Sequence, residues 1–215
     1  KTSFKNLVKK LDLKDREVVF LVAGNKKIVL DSMSTFRQKL AEDFDLIDKT
    51  SWMPVWITDF PMFDETSEGT LTPSHHPFTK SLSTLDLLEK SPEQATSEAY
   101  DLVLNGFELG GGSMRIHDIE EQKKIFSLLG ISNEEAKQKF GFFLEALEYG
   151  CPPHGGIAFG LDRIVMLMAN EDSIRDVIAF PKTQSAMCLM TDAPDKVSND
   201  ELEDLSIKST FEETD

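Results

Sequence analysis

At 215 residues the chain is long enough for one sizeable core, or for one domain and part of another. Its formal charge of -15 argues against gripping a nucleic-acid backbone by overall electrostatics, and no run reaches the roughly 20 apolar residues of a membrane helix. A hydrophobic content of 40% with fifteen phenylalanines marks a globular chain, and the charged, amphipathic start lacks an apolar region ahead of a cleavage site, so a soluble, unexported, cytoplasmic protein is expected.

The first element reads as a short helix. Glu17 to Ala23, EVVFLVA, is a β-branched run ended by Gly24 and reads as a strand. From Asn25 the period changes, because Val29, Met33, Phe36 and Leu40 fall on one face of an amphipathic helix. A strand and a helix without evident partners look like the tail of a larger unit, and residues 1–46 are expected to be an incomplete domain followed by a second over residues 47–215.

A different style begins near Trp52. PVWITDFPMF reads as a strand broken by Pro61, since proline cannot donate to a ladder. The acidic and polar stretch Asp64 to Ser74 reads as a loop delivering the chain to HHPF, and residues 80–97 are polar, with Ser91-Pro92-Glu93 opening a short helical turn. Tyr100 opens the next strand, YDLVL, which Asn105-Gly106 joins to FELGGGSMRI. Asn-Gly between strand residues signals a hairpin with a type I′ turn, whose two central residues need positive φ. The register that follows sets Leu104 against Phe107, Val103 against Glu108 and Asp101 against Gly110. Asp101 and Glu108 then share a face as diagonal neighbours, roughly 7–8 Å apart. Two carboxylates beside bare glycine backbone suit a hard cation such as Mg²⁺; a solvated face with two unrelated acids is the other reading of the same residues. Strict alternation from Glu108 would put Arg115 on the opposite face, and a bulge at the glycines would reverse this.

Ser132-Asn133-Glu134-Glu135 reads as a capping box, followed by an apolar stripe of Ala136, Phe140, Phe143, Leu144 and Leu147 that Gly150 ends. Phe140, Phe142 and Phe143 read as core. Residues 155–169, GGIAFGLDRIVMLMA, read as a short buried strand leading through Gly160 into a buried helix. Asp162 and Arg163 fall in its first turn, where the helix dipole disfavours a cation. Such an arginine invites an anionic ligand or serves structure. Cys151 and Cys188 have neither metal spacing nor a disulfide framework and read as reduced thiols.

DFPMF, HHPFT, YDLVLNGFELGGGSMRIH, FGFFLEALEYGCPPHGGIAFGLDRIVML and DSIRDVIAFPKTQSAMCLMTDAP, in this order, resemble the C-terminal part of the bacterial-type aspartyl-tRNA synthetases, which are class II aminoacyl-tRNA synthetases. The resemblance extends over nearly all 215 residues. It implies an α+β fold in which part of the class II antiparallel sheet with flanking helices, residues 47–215, follows the tail of an inserted α+β domain, residues 1–46. It implies ATP-dependent activation of L-aspartate and transfer to the 3′ end of tRNA(Asp) by a cytoplasmic homodimeric parent, with no membrane. The family's first motif, its second motif with the arginine that grips the α-phosphate, and its anticodon-reading OB-fold have no counterpart among these residues. A C-terminal fragment without activity of its own is therefore expected. A synthetase-like ligase acting on a substrate other than tRNA, and a non-catalytic folding or dimerisation unit, are the alternatives.

Residue by residue, the resemblance assigns His75, His76 and Arg115 to the aspartate site, with Arg115 on the side-chain carboxylate. Glu108 with Asp101 handles ATP through Mg²⁺. Gly160, Leu161, Asp162 and Arg163 match the third signature motif, whose arginine packs on adenine and reaches the terminal phosphates; Arg163 and Glu108 are the catalytic candidates. The glycines after Glu108 would let amino acid and ATP lie against the strand.

Overall fold

The computed structural model describes residues 2–48 and 50–210. The outermost positions of the two expected domains, 1 and 211–215, and Lys49 lie outside the described residues. The chain divides into two compact units, Lys1–Trp52 and Met53–Asp215.

The first unit holds α1 (Thr2–Lys10) and α2 (Lys26–Asp43). Asn25 caps α2 by accepting the Lys27 N–H through its side chain. The expected face of α2 is real: Val29, Met33, Phe36 and Leu40 are half-buried, and the Phe36 ring meets Phe20 edge-on at 4.8 Å. The expected strand at 17–23 is not formed. Those residues are irregular, with Val18 73% and Leu21 72% exposed, because β-propensity yields a strand only where another strand takes its hydrogen bonds.

The second unit is an α+β structure built on a four-stranded antiparallel sheet. Its strands β1 (Pro54–Thr58), β4 (Ala99–Leu104), β5 (Phe107–Met114) and β6 (Gly155–Phe159) lie in the order β1-β4-β5-β6. β1 ends before the proline, at Asp59, whose φ of 58° turns the chain out of the ladder. The stretch expected as a loop from Asp64 forms a second, two-stranded sheet of β2 (Phe63–Glu65) and β3 (Leu71–Pro73). Thr66 and Thr70 close its turn through a backbone bond of 2.9 Å, with Gly69 at a φ of 77°. α3 (Leu85–Lys90), capped by Thr84, and a 3-10 turn at Pro92–Gln94 follow.

The hairpin of β4 and β5 turns at Asn105 and Gly106, with φ of 49° and 88° as a type I′ turn requires. The Asn105 side chain also accepts the Met53 N–H at 2.9 Å, tying the hairpin tip to the approach to β1. Leu104 pairs with Phe107 and Val103 with Glu108, as expected, but Leu102 then pairs with Gly110 and Asp101 with Gly111 rather than Gly110. Leu109 is the extra residue, a bulge that moves every later position of β5 by one.

α4 (Ile119–Leu128) is capped by Asp118, and α5 (Asn133–Glu148) by Ser132, whose hydroxyl accepts the Glu135 N–H. Only half of the expected capping box is made there, since the Glu135 carboxylate pairs with Lys139 at 2.6 Å; the reciprocal box forms instead at Ser198 and Glu201, ahead of α7 (Asn199–Asp204). Gly150, at a φ of 93°, follows the end of α5. The core lies beyond one end of the large sheet. Met62, Phe63, Leu88, Ala95, Ile116 and Ile125 form it, beside an aromatic cluster in which Phe78 meets Phe126, Phe140 and Phe143 at centroid distances of 6.1, 5.4 and 5.0 Å. Phe142, expected in the core, is 82% exposed.

The 155–169 segment also departs from expectation. β6 is exposed along its length, and in α6 (Leu161–Ala169) only Met166 is buried. An all-round apolar helix normally signals cover on every side; here β6 is the edge strand, and Leu161 and Met168 remain 69% and 71% exposed. No helix among the described residues is long and apolar enough to cross a membrane. Cys151 and Cys188 are free thiols.

Gly112 marks the tightest approach of β5 to β6. A Cβ there would sit 1.9 Å from the Gly156 carbonyl oxygen, which is backbone and cannot move aside alone. Gly112→Ala is expected to cost about 1–3 kcal/mol, the range of a severe overpacking. Gly156→Ala, whose Cβ meets no heavy atom within 4 Å, should stay within about 0.5 kcal/mol of the parent. Urea denaturation of both variants checks this; equal midpoints would show that β6 is not held against β5 as described.

Candidate active site

A cleft of about 430 Å³ opens on one face of the large sheet, lined by His75, His76, Asp101, Glu108, Gly111, Gly112, Ser113, Arg115 and Ala158. The bulge makes this lining possible. Beyond Leu109 the cleft-facing positions of β5 are odd, so Gly111, Ser113 and Arg115 follow one another beneath the cleft. The strict alternation that would have turned Arg115 away does not hold.

The three consecutive glycines meet three different constraints. A Cβ at Gly110 would lie 2.8 Å from the Phe159 ring, and one at Gly112 would strike the Gly156 carbonyl. At Gly111 it would stand 2.7 Å from Asp101 Oδ1 and 3.2 Å from Glu108 Oε1. The space over the strand is thus taken by the protein's own atoms, and Gly111 in particular lets two carboxylates converge. Burial, and then the charge of Glu108, push the Asp101 carboxyl above the usual carboxylate range, partly opposed by His75.

At the other end stands Arg115. Its main chain is held on both sides: its N–H donates to His154 O at 2.8 Å, and it bridges to Thr79, next to the Ile116 N–H bond to Phe78 O at 2.9 Å. Its Nη1 lies 2.9 Å from His76 Nδ1, which also accepts the Phe78 N–H at 3.2 Å. An atom that accepts a backbone N–H carries no proton, so the imidazole is neutral with its hydrogen on Nε2. Burial, then the Arg115 charge and His75, push His76 below 6.5 and favour the same state. The segment is pinned from behind by Gln122, fully buried, whose Nε2 donates to Pro77 O at 2.9 Å. His75 packs edge-on against Phe60, 4.8 Å between centroids.

Arg163 does not line the cleft, but it reaches its rim. Its Nη1 donates to Glu108 O at 2.7 Å and lies 3.5 Å from Glu108 Oε2. The adjoining Leu109 carbonyl accepts the Gly160 N–H at 2.8 Å, so the start of α6 takes up the carbonyls of the bulge. An arginine in the first turn of a helix is explained here by that acceptor. Gly160, Leu161 and Asp162 lie outside the cleft lining. Sequence reasoning passed over Ser113 and Ala158; counting back by twos from Arg115 would have found Ser113.

The sequence from residue 2 to 184 matches the family described as tRNA synthetases class II (D, K and N). Among curated proteins, the chain is 52% identical over 209 residues to an aspartate–tRNA(Asp/Asn) ligase of Ruthia magnifica, covering 97% of this chain and 36% of that one. It is 51% identical over 208 residues to an aspartate–tRNA ligase of Buchnera aphidicola, covering 96% and 36%. The chain therefore spans little more than a third of the length of these relatives. Among solved structures, an aspartyl tRNA synthetase from Entamoeba histolytica aligns with 86% of this chain and 32% of its own, at 20% identity and a TM-score of 0.49.

The raised Asp101 carboxyl has a consequence for stability. Because the folded chain holds this proton more tightly than the unfolded chain, stability is lost as pH rises from 3.8 through the folded value. Asp101→Asn removes that loss. The variant is expected to unfold at higher denaturant than the parent at pH 7, with the gap closing below pH 3.8; a midpoint at pH 7 equal to or below the parent's would refute the like-charge pairing over Gly111.

Proposed function

The chain belongs to the class II tRNA synthetases of the D, K and N group, and from that premise we propose that it is the aspartate-recognising part of an aspartate–tRNA ligase. The reaction is ATP-dependent activation of L-aspartate to aspartyl-adenylate, followed by transfer to the 3′ end of tRNA(Asp). The observation that carries this reading is the placement of Arg115 on the cleft face, with His76 neutral and accepting from it, opposite a pair of converging carboxylates.

A buried guanidinium in this position binds a carboxylate, and its planar fork suits two parallel hydrogen bonds. One N–H is already committed to His76, which fixes the direction in which the remaining donors point. The aspartate side chain held there leaves its α-carboxylate free to attack the α-phosphorus of ATP, with pyrophosphate leaving. Arg163, nearly half exposed and anchored on Glu108, is positioned to contact phosphates, and Gly160, Leu161 and Asp162 accompany it at the start of α6. The rate gain would come from positioning and charge stabilisation without a covalent enzyme intermediate.

Asp101 and Glu108 fit a magnesium ion. Their oxygens converge above Gly111, Asp101 is strained by its neighbour's charge, and Mg²⁺ typically takes one or two carboxylates together with substrate phosphates. When bound, the ion supplies neutralisation of phosphate charge. Residues up to about 46 are read as the end of a domain inserted in the relatives' longer polypeptide, and residues from 47 onward as catalytic domain. A cytoplasmic, homodimeric protein that meets tRNA mostly through parts outside this chain completes the reading.

In the native protein carrying this chain, Arg115→Leu is expected to lower aspartate-dependent ATP–pyrophosphate exchange by the equivalent of about 3–5 kcal/mol, the cost of leaving one buried charge unpaired, with much less effect on ATP binding. Equal losses for ATP and aspartate would count against the assignment. Glu108→Gln and Asp101→Asn should each raise the Mg²⁺ concentration at which exchange is half-maximal, because each removes one hard anionic oxygen. Magnesium dependence unaltered in both variants would return this face to a purely structural role.

A further inference from the structure

Ser113 lies on β5 between Gly111 and Arg115, on the face that lines the cleft. It is 2% exposed, and its Oγ has no hydrogen-bond partner. Buried hydroxyls are nearly always paired, so an orphan calls for an explanation. Three other buried side-chain atoms among the described residues share this condition, Ser74 Oγ, His117 Nδ1 and Gln122 Oε1, but none of those residues lines the cleft. Only at Ser113 does the missing partner coincide with a place where a ligand would sit.

The order of groups along the strand says which partner fits. Arg115 supplies positive charge at one end, and Asp101 and Glu108 supply negative charge over Gly111 at the other. Ser113 stands between them, two residues or roughly 6.8 Å of strand from each. A ligand with a terminal carboxylate on Arg115 presents to Ser113 the atoms two or three bonds further along. In an α-amino dicarboxylic acid of aspartate's length, that group is the α-ammonium. It is a pure donor, and it matches the lone pairs of a serine hydroxyl and the negative field of Asp101 beyond it.

We propose that Ser113 Oγ accepts a hydrogen bond from the α-ammonium of the amino acid held by Arg115, and so reads the presence of the amino group. The proposal rests on the assignment of Arg115 to the side-chain carboxylate. Ser113→Ala deletes the acceptor and keeps the shape of the strand, and it also removes a buried unpaired atom, so the fold is retained.

The test is calorimetric titration of the native protein carrying this chain with L-aspartate and with succinate, which keeps both carboxylates and lacks the ammonium. Ser113→Ala is expected to weaken L-aspartate about five- to tenfold, the effect of one lost hydrogen bond to a charged group, and to leave succinate within about twofold. Equal weakening of both ligands would overturn the proposal, because the hydroxyl would then serve a carboxylate or the packing alone. Unchanged affinity for L-aspartate would overturn it too. If Arg115→Leu leaves L-aspartate binding intact, or neither ligand binds the parent protein, the assignment of Arg115 fails and the proposal falls with it, a result distinct from failure at Ser113 alone.

Discussion

A guanidinium taken out of water must be given acceptors, and half of this chain's architecture can be read as the answer for Arg115. The acceptor is a neutral imidazole, His76, which keeps its Nδ1 lone pair because the Phe78 N–H also points at it. That geometry depends on a fixed HHPF segment. Phe78 supplies the fixing by sinking into the aromatic cluster with Phe126, Phe140 and Phe143, and Gln122 adds a bond to the Pro77 carbonyl. The core beyond the end of the sheet is thus more than ballast. It is the wall against which a charged side chain is aimed.

The opposite end of the cleft is organised by a conflict of like charges. Asp101 and Glu108 come together because Gly111 has no side chain to hold them apart, and burial worsens their repulsion. Arg163 offsets part of this from the rim, where it is anchored to the Glu108 carbonyl. The exposed ion pair itself contributes little. Its anchoring to the main chain matters more, since this couples the start of α6 to the strand that carries the cleft. A surface with cationic and anionic ends about two strand repeats apart can orient a ligand of mixed charge before any specific contact is complete.

Local chemistry was legible where it is short-range. Asn105-Gly106 announced its turn, Ser132 its helix start, and Val29, Met33, Phe36 and Leu40 the inward face of α2, because each depends on residues within a few positions of itself. Where a distant partner decides, sequence reasoning failed in both directions. EVVFLVA has the composition of a strand and no strand to pair with, whereas Asp64 to Ser74 reads as a loop and becomes β2 and β3 once Gly69 lets the chain fold back. Phe142 and α6 were judged by hydrophobicity, which reports what a residue would gain from cover and not whether cover is present. Of the candidate site, the residue types were readable and the parity was not. Leu109 carries no mark that distinguishes it as a bulge.

That parity makes the length of β5 a property in its own right. A strand is a two-state counter, in which each residue added or removed exchanges the faces of everything after it. Between Glu108 and Arg115 the count includes one residue, Leu109, with no counterpart on β4. Deleting any single position in this interval would restore even spacing and send Arg115 and Ser113 to the far side of the sheet, although every chemically notable side chain would survive. The site is therefore encoded partly as an integer, and a change of reading length here is a more drastic alteration than the replacement of most of the residues it separates.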